Sequence, residues 1–548
     1  MVVTHVESQI YSCNKKLKMW LYQPLALWKV VVLLLLVFVL LGYTLFLPEF
    51  CREQKGWMLF TNYFAQNENE TQKLTLSDPQ GTHAAFDEHY TSTEMGRSSN
   101  CLSRQEHSLF HKASARLGMP AELSFALAKY EEMHKRCSQD KNWTHAFSNP
   151  DPADTCDYLL YTEGPAGLGN RLLSLASAFL FAVLTNRVIL VDRSGDIPEL
   201  VCEPLSGSSW LLPADFPFEK LDHSVPKLRE AYKEGWNDTK VIYLYLREDQ
   251  NGDDRQFFCT ATQQKLESIK WLAWNSNQYY IPRFFTLAPF WQQLVQLFPD
   301  VSLVFTHLSR YLFLPNNSIW DRIVRIHLSY FSSAQKRLGL QVRLHSRGDL
   351  SEFYPPAYTQ IMNCLINNEL LPNVSTTNSM APSFNHKQQK PTERTTSVLV
   401  ASLQFKYYEE IRILYMNNPA QDGKFVQVHS LSHEGREWHS LDQDIKAFIE
   451  MWLLSFSDEI ATSSWSTFGY VAQGLGAITP HLLNIRGDFE KNGLPSCVVG
   501  QSIDPCNHFP FMNSCESESL SSEHSQWIQQ HIKPCQDEGN GLQLVQSA

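Results

Sequence analysis

The chain has 548 residues, 43% of them hydrophobic, enough to bury the core of more than one domain. Its 46 basic residues against 57 acidic ones give a formal net charge of −11, which argues against nucleic acid as a partner, because phosphate binding wants a basic surface. Aromatic residues reach 12% with 14 Trp, a composition that suits stacking on sugar rings and equally a well-packed core.

The first element in chain order is an apolar run. Val30 to Leu47 carries no charge, and adding Leu25 to Lys29, with Lys29 snorkelling, gives bilayer length. Lys15, Lys16, Lys18 and Lys29 precede it, and Glu49 and Glu53 follow. The positive-inside rule then predicts a cytosolic tail over 1–29, a signal anchor over 30–47 and a lumenal remainder. No small-x-small cleavage site follows the run, which disfavours a cleaved signal peptide. N-x-S/T sequons at Asn69, Asn142, Asn237, Asn316 and Asn373 all lie beyond the anchor. Of the 12 Cys, only Cys13 precedes it. Cys497, Cys506, Cys515 and Cys535 are spaced too widely for a zinc ribbon and read as disulfide partners of open connectivity.

Residues 48–90 are polar and form a stem. Ala121 to His134 has apolar residues at helical spacing. Tyr158 to Asp192 then reads as a βαβ unit: strand, glycine loop (Gly164-Pro-Ala-Gly167-Leu-Gly169-Asn170-Arg171), apolar helix and the strand Val188–Val191. Asn170 is a good N-cap type, and the helix would start near it. The loop is neither a dinucleotide fingerprint nor a Walker A. It is either a tight turn or a place where free N–H groups meet an anion or a sugar.

Lys240–Leu246 reads as a buried strand, Asn275–Phe285 as an aromatic stretch, Phe290–Phe298 as a helix and Asp300–Phe305 as another strand. Two helices separated by Pro315 follow over Ser309–Leu338. A domain boundary is placed near residue 330, giving a 91–330 domain and a 331–548 domain. In the second, strands at Leu340–Leu344, Ser397–Ala401, Phe425–Val428 and Glu459–Thr462 alternate with helices at Tyr407–Met416, Asp442–Ser455 and Thr467–Leu475. A polar loop fills 374–396, and a cysteine-rich tail ends the chain. Two α/β domains facing a cleft make that cleft the default ligand site.

Arg343 sits at a strand end, where ligands of open α/β sheets bind; it could hold a diphosphate bidentately or close an interdomain ion pair. Ser466 and Thr467 open a small-residue helix and could cradle a phosphate or simply cap it. Asp442-Gln-Asp444 has the form of a metal-chelating D-x-D, but it opens a helix, where the dipole favours carboxylates. His433 and Glu434 follow a strand and could touch a base or ribose, or lie on a surface loop.

These residues carry a family resemblance. Gly167-Leu-Gly-Asn-Arg to Asp192 resembles the first motif of the plant xyloglucan fucosyltransferases. Gly339-Leu-Gln-Val-Arg343 resembles their second, and Thr462-Ser-Ser-Trp-Ser-Thr-Phe-Gly-Tyr to Gly476 their third. Arg310–Asn316, Asp504-Pro-Cys506 and Cys535-Gln-Asp537 with Gly541–Val545 fit in order. The resemblance, from about residue 95 onward, implies a type II Golgi membrane protein of GT-B fold, with a homodimer as one of its expected states. It would move L-fucose from GDP-β-L-fucose to a galactose hydroxyl with inversion, making an α-1,2 link on a galactose-containing cell-wall glycan. No metal or other cofactor is implied.

The resemblance also implies roles for single residues. Arg343 would hold the GDP pyrophosphate and take part in catalysis. Ser466, Thr467, Phe468, His433 and Glu434 would line the donor site. Gly169, Asn170, Arg171 and Asn277 would face the cleft on the acceptor side, and Asp537 would support the catalytic site from the tail. One departure stands out: where the family shows Ser-Asp-Asn-Tyr-Phe, this chain has Ser276-Asn277-Gln278-Tyr279-Tyr280, and an amide cannot take a proton as a carboxylate does. The rival expectation is a catalytically weak relative that binds glycan or nucleotide without turnover.

Overall fold

A computed structural model of the chain describes residues 101–546 apart from short stretches, the longest being 218–224, 248–255, 345–349, 376–394, 432–439 and 486–492. The expected anchor at 30–47, the stem at 48–90, and most of the polar loop at 374–396 lie outside the described residues, as do His433 and Glu434. Among the described residues no helix is long and apolar enough to cross a membrane. All of them belong to one compact unit, His89–Ala548.

The first half opens with helices α1 (Leu102–Phe110) and α2 (Ala121–Ser138). Strand β1 (Asp157–Glu163) follows, then α3 (Leu168–Leu184) and β2 (Arg187–Val191), the expected βαβ unit. With β3 (Val241–Leu246) and β4 (Trp271–Ser276) they make a parallel sheet of order β2-β1-β4-β3. β1 pairs with β2 from Asp157↔Arg187 and with β4 from Tyr158↔Trp271. Both faces of this sheet are covered, so β1, β2 and β4 are buried almost end to end rather than on alternate residues. Every α3 residue except Asn170 is buried, because the helix lies between its own sheet and helices of the second half.

Two findings correct the sequence reading here. β4 falls in a region read only as aromatic from Asn275 onward. The expected strand at Asp300–Phe305 is a 3-10 turn (Val301–Leu303) running into α4 (Val304–Leu312). The Asp300 carboxylate accepts the Ser302 N–H at 3.0 Å and so opens a helix. α5 (Asn317–Tyr330) follows, capped by Asn316.

The second sheet begins at β5 (Lys336–Val342) and has the order β10-β9-β8-β5-β6-β7. Its elements are α6 (Leu350–Asn367), β6 (Thr395–Ser402), α7 (Lys406–Asn417), β7 (Phe425–His429), α8 (Leu441–Ser455), β8 (Glu459–Ser463), α9 (Thr467–Gly476), β9 (Pro480–Leu483) and β10 (Cys497–Val499). All pairings are parallel except that of β10, which closes the edge antiparallel to β9.

The tail holds α10 (Ser522–His531) and a small antiparallel pair, β11 (Ile532–Pro534) with β12 (Leu542–Leu544). It packs on the first half of the chain as well as on the second. Trp527 stacks on Phe285 with ring centres 5.2 Å apart, and His524 Nε2 lies 2.8 Å from the Phe285 carbonyl. The disulfide Cys259–Cys515 ties the tail there covalently. The other bridges are Cys101–Cys202, Cys137–Cys156, Cys364–Cys497 and Cys506–Cys535, which resolves the connectivity that spacing left open.

Candidate active site

A cavity of about 450 Å³ opens where the carboxyl ends of strands from both sheets face each other. Its wall includes Gly169, Asn170, Arg171, Asn277, Arg343, Ser466, Thr467 and Phe468, so the structure brings together sequence candidates separated by up to three hundred residues. Parallel sheets place their loops and helix N-termini at this end, which is why the cavity forms there.

Two helix N-termini meet in the wall. α3 starts at Leu168 behind an extended Gly167, two residues before the expected start, so Asn170 is not its cap. Asn170 instead accepts a hydrogen bond from the Thr467 hydroxyl at 2.5 Å, across to the first turn of α9. Gly169 permits this approach, since a Cβ there would lie 2.8 Å from the Thr467 carbonyl carbon and 2.9 Å from the Phe468 nitrogen. Ser466 occupies the N-cap position of α9 with extended backbone, but its hydroxyl does not cap the helix. The first-turn N–H groups of both helices are thus available to a ligand in the cavity, as an anion site requires.

Arg343 follows the last residue of β5. Its N–H donates to Ser463 Oγ at 2.7 Å, fixing the backbone of the strand end. Burial alone pulls the guanidinium below its usual range, and among the described residues no carboxylate pairs with it. A partly buried, uncompensated cation beside two helix N-termini is complementary to a diphosphate. The interdomain ion pair considered for Arg343 is formed by a different arginine.

That arginine is Arg171. It donates to Glu163 on β1 at 2.7 Å and to Asp444 on α8, and lies 3.7 Å from Asp196. Three carboxylates therefore surround one guanidinium. Burial, aided by neighbouring Asp196, pushes the Asp444 carboxyl up to about 6 against the opposing pull of Arg171. Asp442 and Asp444 both sit in the first turn of α8, as the dipole favours, but only Asp444 reaches the cavity while Asp442 is exposed.

Trp465, the residue before Ser466, holds a left-handed backbone with φ +62°, costly for a bulky side chain. Asp537 maintains it. Its Oδ2 accepts the Trp465 N–H at 2.9 Å and the Tyr470 hydroxyl at 2.5 Å. The Tyr470 hydroxyl also lies 3.0 Å from Nε2 of His508, which lines the cavity. Asp537, expected beside Arg343 at the catalytic site, is not among the residues lining the cavity; it reaches the site through its hydrogen bonds to the loop that carries Ser466.

Asn277 is buried in the wall and accepts from the Gln278 amide at 3.1 Å. The neighbouring Tyr279 donates its hydroxyl to Asp504 of the tail at 2.9 Å, and Asp504 also accepts the Phe305 N–H at 3.0 Å. Sequence reading missed Tyr279, His508 and Asp444 as cavity residues. The Asp504-Pro-Cys506 motif, two residues from His508, was the available signal for the tail's part. Among the described residues, the groups with metal-ligand spacing are Cys364–His481–Cys497 and Cys506–Cys535–Asp537, and each contains a disulfide, which leaves no thiolate to bind a metal.

Comparison with known proteins places this geometry. The family model described as xyloglucan fucosyltransferase matches residues 63–516. Galactoside 2-alpha-L-fucosyltransferase of Arabidopsis thaliana is 35% identical over 462 residues, covering 81% of this chain and 80% of the relative. The Pisum sativum protein of the same name is 34% identical over 463 residues, with 81% and 80% covered. The solved structure of an Arabidopsis thaliana FUT1 point mutant in complex with GDP superposes with a TM-score of 0.70 at 34% identity, covering 84% of this chain and 98% of that one. The α/β fold with parallel sheets is thus that of a solved fucosyltransferase, and the chain belongs to the xyloglucan fucosyltransferase family of glycosyltransferases.

Proposed function

We propose that the chain transfers L-fucose from GDP-β-L-fucose to a galactose hydroxyl of a plant cell-wall glycan, such as xyloglucan or arabinogalactan. The transfer makes an α-1,2 link with inversion and uses no metal ion. The observation that carries the donor assignment is Arg343, partly buried beside the N-termini of α3 and α9 and without a carboxylate partner among the described residues. The cation and the helix N–H groups can together offset the charge that grows on GDP as the sugar leaves, the task a divalent metal performs elsewhere. The GDP in the solved FUT1 complex and the names of the galactoside-specific relatives support the same reading. The five disulfides among the described residues suit an oxidising lumen, and with the apolar run at 30–47 they support a single-pass type II protein of the Golgi membrane.

The test is incubation of the protein with GDP-fucose and a panel of galactose-terminated acceptors, with and without EDTA, followed by linkage analysis. Fucose in an α-1,2 link, made equally with chelator present, is expected. GDP-fucose left intact by every acceptor would favour the second reading, a binding protein without turnover, for which Asn277 in the cavity wall is the specific observation. Loss of activity in EDTA would instead remove metal independence from the proposal.

A further inference from the structure

Inverting sugar transfer needs a group that takes the proton of the attacking hydroxyl. Two carboxylates line the cavity among the described residues, Asp444 and Glu450, and both stand on α8. Glu450 is six residues further along, about 9 Å away along the helix axis. Asp444 is on the first turn, at the end that meets α3, and Arg171 fixes its orientation. It also has an exit for a proton: Asp196 sits on the same Arg171 guanidinium, 3.7 Å from it, and its side chain is 26% exposed.

We propose that Asp444 is the catalytic base of the transfer, with Asp196 passing the proton on toward solvent. The assignment rests on the transferase reading above. In the step, the acceptor hydroxyl oxygen bonds to the anomeric carbon of fucose as its proton moves to the Asp444 carboxylate. The bond from that carbon to the diphosphate oxygen breaks, and its electron pair leaves with GDP, held by Arg343. Asp444 then gives the proton to Asp196 and water.

The local charges suit the task. Arg171 orients Asp444 and favours its ionised form, while Asp196 and burial oppose ionisation. Glu163 takes the other arm of Arg171 at 2.7 Å, so the guanidinium is shared and does not wholly claim Asp444. Among the described residues, Lys446 and Glu450 of α8 and Arg343 of the strand end are the other charged side chains in the wall, the tail adds His508, and α9 brings only the uncharged Thr467 and Phe468. The result is a carboxylate poised near 6, ionised at neutral pH yet basic enough to accept a proton.

The experiment measures kcat, GDP affinity and the pH–rate profile for the wild type, Asp444→Asn, Asp196→Asn and the exposed control Asp442→Asn. Asp444→Asn is expected to lower kcat by roughly 10²–10⁴-fold, to leave GDP affinity within about twofold, and to abolish the acid limb near pH 6. Asp196→Asn, a substitution at a partly exposed site, should move that limb to lower pH, and Asp442→Asn should change nothing. An active wild type whose Asp444→Asn variant keeps its kcat and its acid limb overturns the assignment alone. So does an acid limb that Asp196→Asn leaves in place, or an Asp444→Asn variant that loses GDP binding in step with rate. A wild type that binds GDP but consumes no GDP-fucose overturns the transferase reading, and the base with it.

Discussion

The hydroxyl of Thr467 donates to the side-chain oxygen of Asn170 at 2.5 Å, joining two helices that begin 299 residues apart in the chain (Leu168 and Thr467). The bond exists only because the adjoining Gly169 has no side chain. Gly169→Ala would drive a Cβ into main-chain atoms, which cannot rotate away. The expected outcome is a loss of both stability and activity, with destabilisation of about 1–3 kcal/mol as for other overpacked sites. Thr467→Val, which deletes only the hydrogen bond, should cost about 1 kcal/mol and retain the fold. Thermal melts of the two variants check the difference in severity.

Arg343→Ala should weaken GDP binding by about 1.5–3 kcal/mol, the range for a hydrogen bond to a charged group, or roughly 10- to 150-fold. Arg343→Lys should recover part of it, because lysine supplies the charge without the planar fork. Calorimetric titration with GDP reads both. Unchanged affinity in the alanine variant would remove Arg343 from the donor site.

Asp537→Ala removes the acceptor that holds Trp465 in its left-handed conformation. The loop should relax, and with it the start of α9. Activity and GDP affinity are expected to fall together while the protein remains folded, since Asp537 acts on the shape of the donor site and not on the transferred sugar. A fall in kcat with GDP affinity intact would contradict that division.

Several buried histidines make stability sensitive to acid. Burial lowers His107 to about 3 and His134, His307 and His327 to about 4, with nearby arginines adding to the effect for His107, His307 and His327. Each is neutral when folded but would take a proton near 6.5 when unfolded. Their contribution is therefore complete above pH 6.5 and is lost progressively as pH falls toward 4. At pH 5 the loss is about 2 kcal/mol for each fully buried ring and less for His327. Asp157, Glu163, Asp444 and Asp504, whose carboxyls are raised by burial, work in the opposite direction, but among the described residues His111, His429, His481 and His524 are lowered as well. The melting temperature should therefore drop between pH 7 and pH 5. A midpoint equal or higher at pH 5 would show that the rings accept protons within the folded protein.

Much of this arrangement was legible in the chain itself. Tyr158–Asp192 reads as a βαβ unit because its apolar runs change period at a glycine loop, and Arg343 falls at a strand end as its position suggests. β4 escaped because its Trp-Leu-Ala-Trp-Asn-Ser sequence is buried on both faces and shows no alternation. Asp300–Phe305 misled because Val-Ser-Leu-Val mimics a strand, although Asp300 as cap and the spacing of Val301, Val304, Phe305 and Leu308 are helical. Pairings such as Arg171 with Asp444 or Trp465 with Asp537 left no local trace. Nothing near Asp444 in sequence encodes which arginine it will meet, since that depends on how two sheets dock.

The return of the tail to the first half of the chain sets an order of events in time. Cys259 must wait for Cys515, made 256 residues later, before it can form its bond. At about 5–20 residues per second, that is a delay of roughly 13 to 50 seconds. For almost all of it Cys259 lacks its native partner, and Tyr279 lacks the Asp504 carboxylate that anchors it. The first half therefore leaves the ribosome as an unfinished structure that its own last residues complete. A chain cut short before Cys515 should be a substrate for folding quality control even though both sheets are present.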